Sequence, residues 1–211
     1  MAAKVKSVYV CSECGYESVK WFGKCPGCGE WNTMEEQTPV VSAKGVTRSK
    51  ATIKPVQRLN EIDSDIEKRL STGIKEFDRV LGGGIVEGSL ILLSGDPGIG
   101  KSTILLQICQ SLGQKHKILY ISGEESARQI KLRANRLGVD TDNLFILAET
   151  DVSIIVETIK VEKPDMVIID SIQTMMIDDI SSSAGSITQV RECTNIFMHL
   201  AKSLGIPIFV V

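Results

Sequence analysis

The segment Gly95-Asp96-Pro97-Gly98-Ile99-Gly100-Lys101-Ser102 restricts the folding of this chain more than any other. It stands directly behind the apolar run Ser89-Leu90-Ile91-Leu92-Leu93. The spacing G-x-x-x-x-G-K-[ST] between a strand and a helix is that of a phosphate-binding loop. Its glycines let the backbone fold into a nest of inward-facing N–H groups. Lys101 adds a full positive charge at the outer phosphates, and the Ser102 hydroxyl suits the shell of a Mg²⁺ ion. A helix starting near Lys101, with Thr103 in its first turn, turns its positive dipole end toward the same anion. The motif therefore predicts a nucleoside triphosphate with Mg²⁺, held by residues 95–103.

From about Arg58 onward strands and helices alternate. Strands are expected over Ser89–Gly95, Lys117–Gly123, Leu144–Ala148, Asp165–Asp170 and from Ile206 to Val211. Helices are expected from Lys101 to about Gln114, then over Ser126–Leu137, Val152–Glu162 and Thr188–Leu204. The strand segments lack polar alternation, as parallel strands covered on both faces do. The succession predicts an α/β layered fold with a mainly parallel sheet flanked by helices, and a ligand site at the carboxyl ends of the strands.

Two acidic positions fall at such ends. Met166-Val167-Ile168-Ile169-Asp170 is an apolar strand closed by a carboxylate, which places Asp170 near Ser102 to hold Mg²⁺ through water. The strand before Gly123 runs into Glu124-Glu125. A carboxylate there reaches water beside the γ-phosphate and polarises it for in-line attack. Glu124 is the first candidate and Glu125 the second; the other reading is that one of them only favours the amino end of the following helix.

A different chemistry occupies the first 33 residues. Cys11-Ser12-Glu13-Cys14-Gly15 and Cys25-Pro26-Gly27-Cys28-Gly29 are two C-x-x-C-G knuckles. Four thiolates at this spacing suit a closed, structural Zn²⁺ site. A redox pair or two disulfides are the competing readings, and a reducing compartment disfavours the disulfides. The glycine after each second cysteine allows a left-handed turn that aims backbone N–H groups at sulfur. Tyr16, Trp21, Phe22 and Trp31 crowd this segment; they either pack round the metal as a miniature core, the favoured expectation, or stand exposed for a partner or a base. Residues 34–60 lack periodicity and carry Lys44, Arg48, Lys50, Lys54 and Arg58 with no acid between Gln37 and Glu61. They read as a basic linker, with phosphodiester contact as a minor possibility. The ATPase core is then expected over 61–211.

Net charge is −2, with 24% charged and 43% hydrophobic residues, so any basic surface is local. No apolar run reaches the length of a bilayer and the first residues lack a signal-peptide core, so a cytoplasmic protein without membrane attachment is expected. The sequence stops inside an apolar strand, which suggests a truncated polypeptide.

Ser71 to Ile85, the phosphate loop, Tyr120-Ile121-Ser122-Gly123-Glu124-Glu125-Ser126 and Val167-Ile168-Ile169-Asp170-Ser171 together resemble a RecA-type ATPase core. With the four-cysteine module and Ser171-Ile172-Gln173-Thr174, nearly the whole chain is similar to the first half of the bacterial RadA (Sms) family of DNA repair proteins. The resemblance implies an ATP hydrolase that binds single-stranded and branched DNA, forms a homo-hexamer when full-length and drives branch migration alongside RecA. It maps the nucleotide loop to Gly95–Ser102, the metal-holding aspartate to Asp170, the activating glutamate to Glu124 and a DNA-facing loop to about Asp178–Gln189. The family's later DNA motif and its Lon-protease-like domain have no counterpart here. A RecA-like regulatory ATPase of the KaiC type is the alternative, against which the cysteine knuckles speak.

Overall fold

The computed structural model describes residues 8–37, 58 and 69–211. The chain divides into two units, Met1–Glu67 and Lys68–Val211. Most of the expected basic linker lies outside the described residues.

The first unit is an antiparallel sheet of three short strands: β1 (Val8–Cys11) in the centre, β2 (Glu17–Ser18) and β3 (Met34–Gln37) at its edges. β3 pairs with β1 over its whole length, Cys11 opposite Met34 and Val8 opposite Gln37. The sheet thus runs four residues beyond the expected end of the cysteine module at Thr33. The knuckles sit in the two turns, where Gly15 and Gly29 take positive φ and close Gly15 N–H on Cys11 O and Gly29 N–H on Cys25 O. Among the described residues of this unit, Val10, Cys11, Cys25 and Met34 are the buried hydrophobic ones.

The second unit is a five-stranded parallel sheet in the order β6 (Leu90–Leu92), β10 (Ile208–Val210), β9 (Met166–Asp170), β7 (Ile118–Ser122), β8 (Leu144–Ala148). A small hairpin of β4 (Arg69–Leu70) and β5 (Ile85–Val86), joined through α1 (Lys75–Val80), precedes it. α2 (Lys101–Leu112) and α3 (Ala127–Arg136) share one apolar cluster with Ile118, Tyr120, Met166, Ile168 and Phe209. α4 (Val152–Glu162) and α5 (Ile187–Leu204) share the other with Leu119, Ile121, Val167, Ile169, Ile208 and Val210. The period of two along each strand therefore feeds both layers, which is why β7 is buried at every position and its sequence shows no polar alternation.

The helix starts follow local chemistry. Ser126 and Gln129 form a reciprocal capping box on α3; Asp151 caps α4 through Ser153 N–H, and Ser186 caps α5 through Gln189 N–H. α2 starts differently: its first flanking residue is Gly100 at φ 105°, with no side-chain cap. Its N–H groups are thus left for something other than a neighbouring side chain. The apolar run Ser89–Gly95 yields only the three-residue strand β6, which lies at one edge of the sheet and pairs with β10.

Candidate functional site

The carboxyl ends of β6, β7 and β9 converge on one cleft of about 310 Å³. Its walls are Gly98, Gly100, Lys101, Ser102 and Thr103 from the loop and the first turn of α2, Ser122, Glu124 and Glu125 after β7, Arg133 from α3, and Asp170 at the end of β9. Gly95, Asp96, Pro97 and Ile99 complete the loop. Gly95, Gly98 and Gly100 all take positive φ, and a Cβ added at Gly98 or Gly100 would meet nothing within 4 Å. Backbone conformation and not space demands glycine there. The Lys101 ammonium donates to Gly95 O at 2.7 Å and Asp96 O at 3.1 Å, so it lies across the loop's own turn. These carbonyls hold the charge at the mouth of the nest, where a polyanion would meet it.

The cleft carboxylates each have a separate partner. Asp170 accepts a hydrogen bond from the Tyr120 hydroxyl. Burial first, and the charge of Asp170 next, hold Tyr120 well above the usual tyrosine range, so it stays a donor. Glu124 Oε1 accepts from Ser171 Oγ at 2.7 Å. Glu125 forms an ion pair with Arg133. Beneath both glutamates, the Ser122 hydroxyl accepts from Glu124 N–H at 3.3 Å and Glu125 N–H at 3.0 Å. The backbone after β7 is thus pinned on one oxygen while the two side chains diverge.

Sequence reasoning placed Lys101, Ser102, Thr103, Glu124, Glu125 and Asp170 at a shared site, and all six line this cleft. It missed Tyr120, Ser122 and Arg133. Tyr120 carried a signal, since a tyrosine inside a fully buried strand needs a partner for its hydroxyl. Arg133 lies two turns into α3, where no local motif marks it. The loop expected to face DNA has Asp178 and Asp179 exposed, while the wholly buried Gln189 side chain holds its backbone at Ile177, Ile180 and Ser182.

The second candidate centre is the knuckle pair. The sulfurs of Cys11, Cys14, Cys25 and Cys28 all lie within 4.8 Å of one another. Cys11 and Cys28 stand 3.6 Å apart, and Cys14 and Cys25 stand 3.5 Å apart. A disulfide needs about 2.05 Å. Tetrahedral zinc with bonds of about 2.3 Å sets its sulfurs roughly 3.8 Å apart. The quartet fits zinc and no disulfide. Burial works to raise Cys11, but hydrogen bonding to the Thr33 hydroxyl and the backbone of Cys14 and Glu13 outweighs it and brings the thiol down to about 6. At Cys14 the Tyr16 N–H favours the thiolate, yet burial and the other three thiols push it up to about 12. Four thiols so close cannot all ionise without a cation among them. Gly27 makes the closeness possible: a Cβ there would lie 3.1 Å from Cys14 Sγ and 3.0 Å from Tyr16 Cβ.

The expected aromatic core of this unit is not what forms. Tyr16, Trp21, Phe22 and Trp31 are all exposed, Trp31 at 68%. Val10, Cys11, Cys25 and Met34 fill the interior, and the four aromatics stand outside it. Trp21 Nε1 still donates to Met34 O, and Lys24 lies over the Trp31 ring.

Residues 70–147 match the ATPase family model described as KaiC, and residues 9–36 match a rubredoxin metal-binding domain. A protein titled DNA repair protein RadA from Halalkalibacterium halodurans is 53% identical over 99% of this chain and 47% of its own length. Its counterpart in Bacillus subtilis is 50% identical over the same shares. The chain belongs to the RadA family. The Aquifex aeolicus RadA extends the likeness at 45% identity over 99% of this chain and 46% of its own length. The chain spans about half the length of the RadA proteins it matches. A crystal structure of a KaiC-like protein from Pyrococcus horikoshii superposes with a TM-score of 0.56 over 68% of this chain and 69% of its own, at 21% identity. That likeness places the parallel-sheet unit in the RecA/KaiC-like fold. The chain thus carries an ATPase-family domain preceded by a rubredoxin-like metal-binding module. Among the described residues no helix is long and apolar enough to cross a membrane.

Proposed function

We propose that the cleft binds Mg·ATP and hydrolyses it, and that the full-length protein spends the hydrolysis on single-stranded and branched DNA in recombinational repair. The observation that carries this reading is the convergence of Lys101, Ser102, Glu124 and Asp170 on one cleft at the ends of β7, β9 and the loop after β6. Phosphoryl transfer asks a protein for positioning and charge stabilisation more than for covalent chemistry. The amides of residues 95–103 and Lys101 hold the phosphates. Ser102 and Asp170 would hold Mg²⁺, which would supply charge neutralisation at the phosphates. Tyr120 fixes Asp170 in place for that task, and Ser171 fixes Glu124, which orients the attacking water. Glu124 polarises that water as the bond to the leaving oxygen lengthens.

DNA dependence, branch migration alongside RecA, a homo-hexameric assembly and a cytoplasmic setting belong to the same proposal and rest on membership of the RadA family. The zinc module then serves as a docking piece for DNA or a protein partner. The test is phosphate release by the full-length protein, with and without single-stranded DNA. Turnover is expected to rise with DNA and to vanish in Lys101→Ala. A rate unmoved by saturating single-stranded DNA removes the DNA-driven part. Failure of calorimetry to detect Mg·ATP uptake removes the whole reading.

A further inference from the structure

Glu124 and Glu125 leave the same strand, share the same backbone anchor at Ser122 Oγ, and line the same cleft. Only their side-chain partners differ. Ser171 Oγ occupies one site on Glu124 Oε1. A carboxylate has about four such sites, so Glu124 keeps acceptor capacity for water. Glu125 instead closes on a guanidinium, a planar, permanently charged fork that binds carboxylates through both oxygens. Arg133 reaches it because side chains on a helix lean toward the amino end, here back along α3 toward the turn after β7. The Arg133 and Glu125 side chains are only 24% and 34% exposed, so solvent screens the pair partially. Lys101 and Arg133 are the two cationic side chains lining the cleft. Lys101 is turned to the phosphate loop and Arg133 to the glutamate.

We propose that Arg133 is a positioning residue that sorts the two glutamates: by closing on Glu125 it leaves Glu124, aimed by Ser171, as the carboxylate that meets the attacking water. The inference rests on the ATPase reading above. Without Arg133, Glu125 becomes an uncompensated negative charge in a cleft built for a polyanion, and a second acceptor competing for the same water. The damage from losing Arg133 is therefore done by Glu125, and removing that charge as well repairs it.

The test is a double-mutant cycle in the full-length protein, read as steady-state kcat and KM for Mg·ATP. Wild-type turnover and its loss in Lys101→Ala are established first. Their absence ends the ATPase reading itself, whereas an active wild type with the wrong pattern below ends only the role of Arg133. Glu124→Gln is expected to lower kcat by about 100-fold or more. Glu125→Gln lowers it much less. Arg133→Gln lowers kcat by about tenfold, the size of a typical contact coupling. Arg133→Gln combined with Glu125→Gln returns to the level of Glu125→Gln alone, and Arg133→Lys lies between Arg133→Gln and wild type. A merely structural arginine gives no such repair. The proposal is overturned if the double variant is as slow as Arg133→Gln, which makes Arg133 a direct phosphate contact or a structural prop. It is equally overturned if Arg133→Gln matches wild type, or if Glu125→Gln loses as much as Glu124→Gln. Should circular dichroism show Arg133→Gln unfolded, the comparison of the two glutamate variants decides alone.

Discussion

Single side chains in this protein show how burial and partners set chemistry. Cys109 packs in the cluster between α2 and the sheet, wholly buried, and burial pushes its thiol up to about 12 from an ordinary 9.0. The unfolded chain releases that proton at lower pH than the folded chain. The contribution of Cys109 to stability is therefore complete below about pH 9 and fades as pH rises toward 12. Cys193, raised to about 11 by the same cause, acts in the same direction. Cys109→Ala is expected to flatten the fall of stability between pH 9 and 11, by up to about 1.4 kcal/mol per pH unit. The lost sulfur costs roughly 1 kcal/mol at neutral pH. Urea denaturation at a series of pH values checks both, and an unaltered alkaline slope in the variant would place the sensitivity elsewhere. The same contrast explains what a sequence reader saw at residue scale. The loop Gly95–Ser102 and the four cysteines announce themselves by spacing. Tyr120, Ser122 and Arg133 act through partners that only the fold brings near, Asp170 lying fifty residues from Tyr120.

Elements were legible where burial on both faces left a long apolar run. The expected bounds Leu144–Ala148 and Val152–Glu162 coincide with β8 and α4, and β7, β9, α2, α3 and α5 differ from expectation by one or two residues at an end. The hairpin of β4 and β5 was not legible, because two-residue strands carry no period. The aromatics of the cysteine unit misled for another reason: aromatic density suggests a core, yet metal ligands already fill that interior. α5 adds an element-scale device. Its first turn carries Gln189, wholly buried, which accepts from Ile177 N–H at 3.0 Å and donates to the carbonyls of Ile177, Ile180 and Ser182. One amide thus replaces the sheet ladder that the loop before α5 lacks. Gln189→Leu keeps the volume and leaves those buried backbone groups unpaired. It is expected to cost about 2–4 kcal/mol and to raise proteolysis within 177–186, with the rest of the unit intact. A variant as protease-resistant as wild type would mean the loop is held by other contacts.

At the scale of the whole molecule, two units meet the problem of stability by unlike means. The parallel-sheet unit buries two full apolar layers. Among its described residues the cysteine unit buries only Val10, Cys11, Cys25 and Met34, so metal binding is expected to supply its folding energy, on the order of 10 kcal/mol for a structural zinc. The sequence happens to supply a separate probe for each. Trp21 and Trp31 are the only tryptophans of the chain, and both stand in the cysteine unit. All helices among the described residues stand in the other. Tryptophan near-ultraviolet dichroism therefore reports on one unit and the 222 nm signal on the other. Adding a strong zinc chelator is expected to abolish the tryptophan signal while the helical signal and its thermal midpoint hold, and returning zinc is expected to restore the first. Cys28→Ser is expected to reproduce the chelated spectrum, since three thiolates no longer close the tetrahedron. Loss of both signals together would show that the sheet unit depends on the metal as well. A tryptophan signal untouched by chelation would show that the short strands hold themselves, and that the knuckles bind no metal of consequence.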